Sequence, residues 1–194
     1  ILKQIQRLNE DIDTMDAQMR ILSGLANYSK ISVELMPKQQ GSPTTVKNDI
    51  AGFKWITALT PFRNGIAQLG KPLVLTTPEG MVRTTLKGPY RAESADGSFI
   101  RSISLKNNPN GDSEFWQKAI QNRLEKGFGK SALTTMGGFH AVKFDAVAQQ
   151  PYIYIVAVRA SEKSLDIVEV YYPNAQQQQR YESDINRVLV GGEG

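Results

Sequence analysis

The chain has no cysteine, which removes disulfides, thiolate-held metals, iron–sulfur clusters and thiol nucleophiles together. It has a single histidine, His140, so a multi-histidine metal site is excluded as well. No apolar run approaches the ~20 residues that a membrane-crossing helix needs. Nor is there a signal peptide: the sequence opens at Ile1, already inside a helical pattern and with no capping residue ahead of it. We read it as a mature or trimmed fragment, for which a missing leader says little. Disorder is excluded by what is present. Of 194 residues 40% are hydrophobic, with seven Phe, seven Tyr and two Trp, enough to build a core.

Charge is nearly balanced, 23 Lys/Arg against 19 Asp/Glu, for a net of +4. The excess is uneven. Residues 71–130 hold ten basic against six acidic side chains, residues 1–70 eight against six, and residues 131–194 five against seven. The middle segment also carries Tyr90, Phe99, Phe115 and Trp116. A basic and aromatic surface is one footprint of nucleic-acid binding. Here Phe115 falls on a helix's apolar stripe and Phe99 in the inward register of a strand, so we expect a solvated basic face and no nucleic-acid partner.

The most regular pattern is at the start. Ile1, Ile5, Leu8, Ile12, Met15, Met19, Leu22 and Ala26 alternate spacings of four and three, the seam of a coiled coil. In a parallel homodimer Asp11 would face the partner's Asp16 across the flank, so an antiparallel partner helix fits better. The partner-helix seam is then Ile5, Leu8, Ile12, Met15, Met19 and Leu22. Ile31, Val33 and Leu35 next alternate with Ser32 and Glu34, a half-buried strand ended by Pro37. Residues 1–37 therefore read as coiled-coil helix plus strand, and 38–48, polar with Gly41 and Pro43, as a linker.

Residues 49–71 return to a helical period. Ile50, Phe53, Ile56, Leu59, Phe62, Ile66 and Leu69 form one stripe after Asp49, with Pro61 expected to kink or split it. Lys47, Lys54, Arg63 and Lys71 give a basic outer side. Phe53, Trp55, Ile56 and Phe62 thus form a face that docks either on the next domain or on an anionic membrane surface.

From residue 72 to 194 the reading is α+β: a mainly antiparallel sheet sandwiched by helices. Strands are expected at 73–76, 81–86, 90–93, 99–105, 132–135, 141–148, 152–159 and 165–172. Asp96-Gly97 marks a hairpin. Asp112 caps a helix that buries Phe115, Ala119, Ile120 and Leu124 and closes at Gly127. A last helix after Pro173-Asn174 buries Tyr181, Ile185, Val188 and Leu189. The strand from Tyr152 to Arg159 is apolar on both faces, as a central strand covered on both sides must be.

Searches for chemistry give little. Gly129-Lys130-Ser131 ends like a phosphate-binding P-loop, but Leu124 stands where the motif needs its first glycine, and a helix precedes it instead of a strand. Asp11, Asp13 and Asp16 lack calcium-loop spacing. No acidic pair stands in an apolar cleft context, as glycosidase chemistry needs. His140 needs an orienting acid and a nucleophile, and Ser131, Thr134, Thr135 and Asp145 are the only candidates near it in sequence. No catalytic residue, cofactor or metal is expected. The alternative is a ligand-binding module or weak hydrolase with a cleft beside His140 and the Asn107–Asp112 loop.

Two resemblances sharpen this. Leu8-Asn9-x-x-Ile12, the heptads to Leu22, and Tyr28-Ser29-Lys30-Ile31-Ser32-Val33-Glu34-Leu35-Met36-Pro37 resemble the distal half of a bacterial family of unknown function. Its members are envelope lipoproteins in which a helical hairpin is inserted between strands. Their Trp-containing amphipathic helix is matched by Gly52-Phe53-Lys54-Trp55-Ile56, but the membrane-spanning helix that usually follows is replaced here by the α+β domain. Residues 72–194 are similar in element order to the PsbP-like sandwich, an analogy of fold that transfers no site residue. Together they imply a non-enzymatic, extracytoplasmic envelope protein, lipid-anchored through a missing N-terminus. It would associate with a protein partner or itself through the first helix, or with a membrane surface through 49–71.

Overall fold

The computed structural model describes residues 15, 19, 51–63, 65, 66 and 69–191. Residues 1–38 and 39–194 form two compact units. The expected strand at 31–35, the linker at 38–48 and the seam residues Ile5, Leu8, Ile12 and Leu22 lie outside the described residues.

The second unit is an α+β fold. A 3-10 turn, Ala51–Phe53, leads into the short helix α1, Lys54–Thr57. Strands β1 (Lys71–Pro72), β2 (Val82–Arg83), β3 (Tyr90–Glu93) and β4 (Phe99–Lys106) follow. Then come α2 (Ser113–Phe128), β5 (Gly129–Met136), β6 (Phe139–Ala146), β7 (Tyr152–Ala160), β8 (Ser164–Tyr172) and α3 (Ala175–Val190). The sheet runs β2-β3-β4-β8-β7-β6-β5, with β1 beside β4, and every pairing is antiparallel. Helix α2 carries the chain from central β4 to the far edge, β5. Three hairpin steps then return it to β8, which closes the sheet by pairing Phe99 to Lys106 with Tyr171 to Ser164.

Alternation decides what each face buries. Tyr152, Tyr154, Val156 and Val158 of β7 point to one side, with Val142, Phe144, Leu165 and Ile167, and pack under Trp116, Ile120 and Leu124 of α2. Ile153, Ile155 and Ala157 point to the other, with Val168, Val170 and Tyr172, and pack under Tyr181, Ile185 and Leu189 of α3. A strand buried on both faces must be apolar at every position, and all of β7 from Tyr152 to Val158 is buried.

Helix α2 starts where Asp112 accepts a hydrogen bond from the Phe115 backbone N–H at 2.7 Å. Asn174 does the same for α3, accepting from Gln177 N–H at 3.1 Å. The β5–β6 turn is Gly137-Gly138, with φ of 53° and 81°, the conformation of a two-residue type I′ hairpin. A Cβ at Gly137 would lie 2.3 Å from Leu189 Cβ, so the turn also lets α3 approach closely.

Four sequence expectations are corrected. The helix expected over 49–71 ends at Thr57. Pro61 cannot continue it, and the chain doubles back so that a Cβ on Gly65 would sit 2.2 Å from the Ala58 carbonyl oxygen. Part of its apolar stripe is satisfied by wrapping: Ile56, Leu59 and Ile66, together with Trp55, join the α2-side core as a strap, while Phe62 and Leu69 stay exposed. The strand expected at 73–76 is irregular chain, with only the two-residue Lys71–Pro72 just before it, and the one expected at 81–86 shrinks to Val82–Arg83; Leu75 and Met81 pack on the α3-side core from irregular chain. Phe115 is 43% exposed; Trp116, one residue on, takes the buried position. Gly127 lies inside α2, which Gly129 ends with φ 90°.

Candidate functional site

The cleft expected beside His140 is a shallow open depression of about 300 Å³, lined by Glu114, Gln117, Lys118, Leu133, Thr134, Thr135 and His140. Its floor is set by Gln117. This buried side chain donates its amide to the Thr134 carbonyl at 2.9 Å and the Ala141 carbonyl at 2.7 Å, pinning α2 over the β5–β6 ladder where Thr134 pairs with Ala141. His140 Nδ1 lies 3.4 Å from Gln117 Oε1. Of the nucleophile and acid candidates, Thr134 and Thr135 line the same depression, Thr135 opposite His140 in the ladder, while Ser131 and Asp145 are engaged elsewhere. The Ser131 hydroxyl donates to Glu125 Oε1 at 2.7 Å and accepts from Gln121 Nε2 at 3.0 Å. Asp145, odd-numbered on the same strand, points to the opposite face and lies 3.6 Å from Lys143 Nζ.

The Asn107–Asp112 loop is a structural staple. Asn107 Nδ2 faces Asn110 Oδ1, Gly111 O and Ser161 O at 2.7–3.0 Å, and its Oδ1 accepts from Gly111 N and from Trp116 Nε1 at 2.8 Å. One amide thereby ties the end of β4, the β7–β8 turn and the start of α2 together.

The densest polar chemistry is elsewhere, in the middle of the sheet. Arg101 on β4 pairs in register with Glu169 on β8, and the two are 1% and 0% exposed. Arg101 donates from Nε to Glu169 Oε2 and from Nη2 to Oε1, each at 2.6 Å. Nη2 also reaches the carbonyl of Thr60 on the strap, and Tyr154 donates its hydroxyl to Glu169 Oε1. Burial first, and the Glu169 charge second, hold the Tyr154 hydroxyl well above its ordinary pKa, so it stays a protonated donor. Arg101 Nη1 is buried without a partner among the described residues. We read this group as structural, because the strap closes over it. Its signal was in the sequence: Arg101 shares a face with Phe99 and Ile103, and Glu169 with Ile167 and Tyr171, so both charges occupy inward positions of alternating strands.

No family model matches the chain, and no curated protein matches it. Among solved structures it is similar to LpqN, involved in cell envelope biogenesis of Mycobacterium tuberculosis. The identity is 16% over 60% of this chain and 78% of that one, with a TM-score of 0.39. It is also similar to a protein from Bacteroides thetaiotaomicron, at 13% identity over 63% of this chain and a TM-score of 0.38. The match spans about half of that protein, 47%.

The docking-face residues separate. Trp55 and Ile56 are buried, with the Trp55 ring 5.6 Å from that of Trp116. Phe53 lies 5.3 Å from Trp116 and under the Arg123 guanidinium at 4.6 Å. Phe62 is 72% exposed, with its ring T-shaped against Tyr152 at 5.4 Å. Trp55 and Ile56 therefore have no surface to offer a membrane. Of the seam, Met15 and Met19 are helical and exposed, at 66% and 67%.

Proposed function

We propose that this protein is a non-catalytic interaction module of the bacterial cell envelope, engaging a partner helix through Ile5, Leu8, Ile12, Met15, Met19 and Leu22. The observation that carries the reading is the pair Met15 and Met19, one helical turn apart and both largely exposed. Two large flexible apolar side chains on one helix stripe are the surface a second helix covers. The envelope setting is supported by the resemblance of residues 1–70 to envelope lipoproteins.

The test is the double variant Met15→Asp/Met19→Asp in the full chain, followed by sedimentation and by helical circular dichroism during melting. Carboxylates placed in the seam should lower the apparent mass of any assembly or the melting temperature of the N-terminal helix. A variant indistinguishable from wild type in both measurements refutes the seam.

A further inference from the structure

Strand β5 is the last described strand of the sheet on its side. It is eight residues long and pairs without a bulge from Gly129↔Ala146 to Met136↔Phe139, and no described strand lies on its other side. Because the two-glycine turn closes on the hydrogen-bonded pair Met136 and Phe139, bonding alternates back along the ladder. Lys130, Ala132 and Thr134 bond to β6. Ser131, Leu133 and Thr135 aim their N–H and C=O groups outward. Residues 132–135 are all exposed. Folded proteins ordinarily blunt such an edge with charge, proline, a bulge or brevity. The opposite edge does this: β2 is two residues, and β1, also two, contains Pro72. β5 uses none of these beyond Lys130.

We propose that β5 pairs antiparallel with β5 of a second copy of this chain across a two-fold axis at Leu133, joining two sheets into one. The strand is self-complementary in that register. Leu133 meets the partner copy's Leu133, Ser131 meets Thr135, and Thr135 meets Ser131, so every outward N–H and C=O from 131 to 135 gains a mate. The only charged side chain, Lys130, falls opposite Met136, so no like charges meet. On the α2 side, the two Leu133 side chains lie together over the depression that Gln117 and His140 floor. The seam is about 23 Å long at roughly 3.3 Å per residue. That is below standard interface size, so association is weak and concentration-dependent. This surface shares no residue with the Met15–Met19 stripe.

The full chain is examined by sedimentation equilibrium from about 10 µM to about 1 mM, the range suited to small interfaces. Wild-type mass should climb toward twice that of the monomer, and Leu133→Lys, which opposes two ammonium groups at the axis, should remain monomeric with an unchanged circular dichroism spectrum. Monomeric wild type at the top concentration overturns the proposal. So does a Leu133→Lys variant that still dimerises, which would assign association to the N-terminal stripe instead. Leu133→Cys gives an independent reading, since the chain has no other thiol. Hydrogen-bonded strand neighbours stand about 5.5 Å apart at Cα, within disulfide reach. Oxidation should therefore yield a covalent dimer, whereas Val147→Cys, 83% exposed off the seam, should not. Equal cross-linking of the two refutes the register.

Discussion

Replacing Glu169 by Gln tests the energetics of the sheet's centre most directly. Glu169 accepts two hydrogen bonds from Arg101 and one from Tyr154, and is fully buried. The glutamine is nearly the same size, so packing is retained. The guanidinium, however, is left buried beside an amide that offers one acceptor and two competing donors. Breaking a buried pair from one side costs about 3–5 kcal/mol, a large part of the 5–15 kcal/mol that typically separates folded from unfolded domains. At about 2–4 °C per kcal/mol for a domain of this size, the melting temperature should fall by roughly 10 °C. Removing the whole group should behave oppositely. Arg101→Met, Glu169→Leu and Tyr154→Phe together leave no buried charge, and the triple variant should lie within about 1 kcal/mol of wild type or above it. Urea unfolding followed by far-ultraviolet circular dichroism measures both. If Glu169→Gln costs under about 1 kcal/mol, or if the single changes add up to the triple, the cluster is not the interdependent unit described.

Two further outcomes are expected. Burial would raise the Asp96 pKa, but hydrogen bonds from the Ser94 and Ser98 hydroxyls, the Ser98 N–H and the Tyr181 hydroxyl outweigh it and hold the carboxyl at about 2. A depressed folded-state pKa stabilises above the unfolded value near 3.8 and is lost as pH falls through about 2. Asp96→Asn should therefore lower stability at neutral pH by about 1 kcal/mol after solvent screening, and should flatten the acid limb of a melting-temperature profile; an unaltered limb refutes the assignment. Gly137→Ala puts a Cβ at φ 53° and 2.3 Å from Leu189, so it should cost well over 1 kcal/mol by chemical denaturation. Gly97→Ala, with φ 89° and open space, should cost only the backbone strain, and equal losses for both would rule out the α3 contact.

The α+β class and the antiparallel sheet were legible because β6 and β8 alternate over part of their length, because β7 is an apolar run of strand length rich in β-branched and aromatic residues, and because Asp112 and Asn174 mark their helix starts chemically. The strap was not. Its apolar spacing fits a helix as well as a folded-back chain, and only Pro61 and the core waiting at Trp116 decide between them. The Arg101–Glu169 pair was overlooked although its register was readable, because a charge in an apolar alternation has meaning only once the opposing strand is known, and β4 and β8 lie 68 residues apart at that point. For the candidate site, His140 could be placed on its strand. Gln117, 23 residues away, which forms the floor beneath it, carries no sequence signature.

Both tryptophans of the chain, Trp55 and Trp116, belong to the α2 side of the sheet, while the α3 side is built with Tyr90, Phe139, Tyr172 and Tyr181 and no indole. Emission excited at the red edge of protein absorbance is therefore blind to half of the molecule. It will register the strap lifting from α2, and a detachment of α3 will pass without changing it. An unfolding curve from indole light alone will look two-state even if the faces separate one after the other, and agreement with calorimetry is the condition for treating the domain as a single cooperative unit.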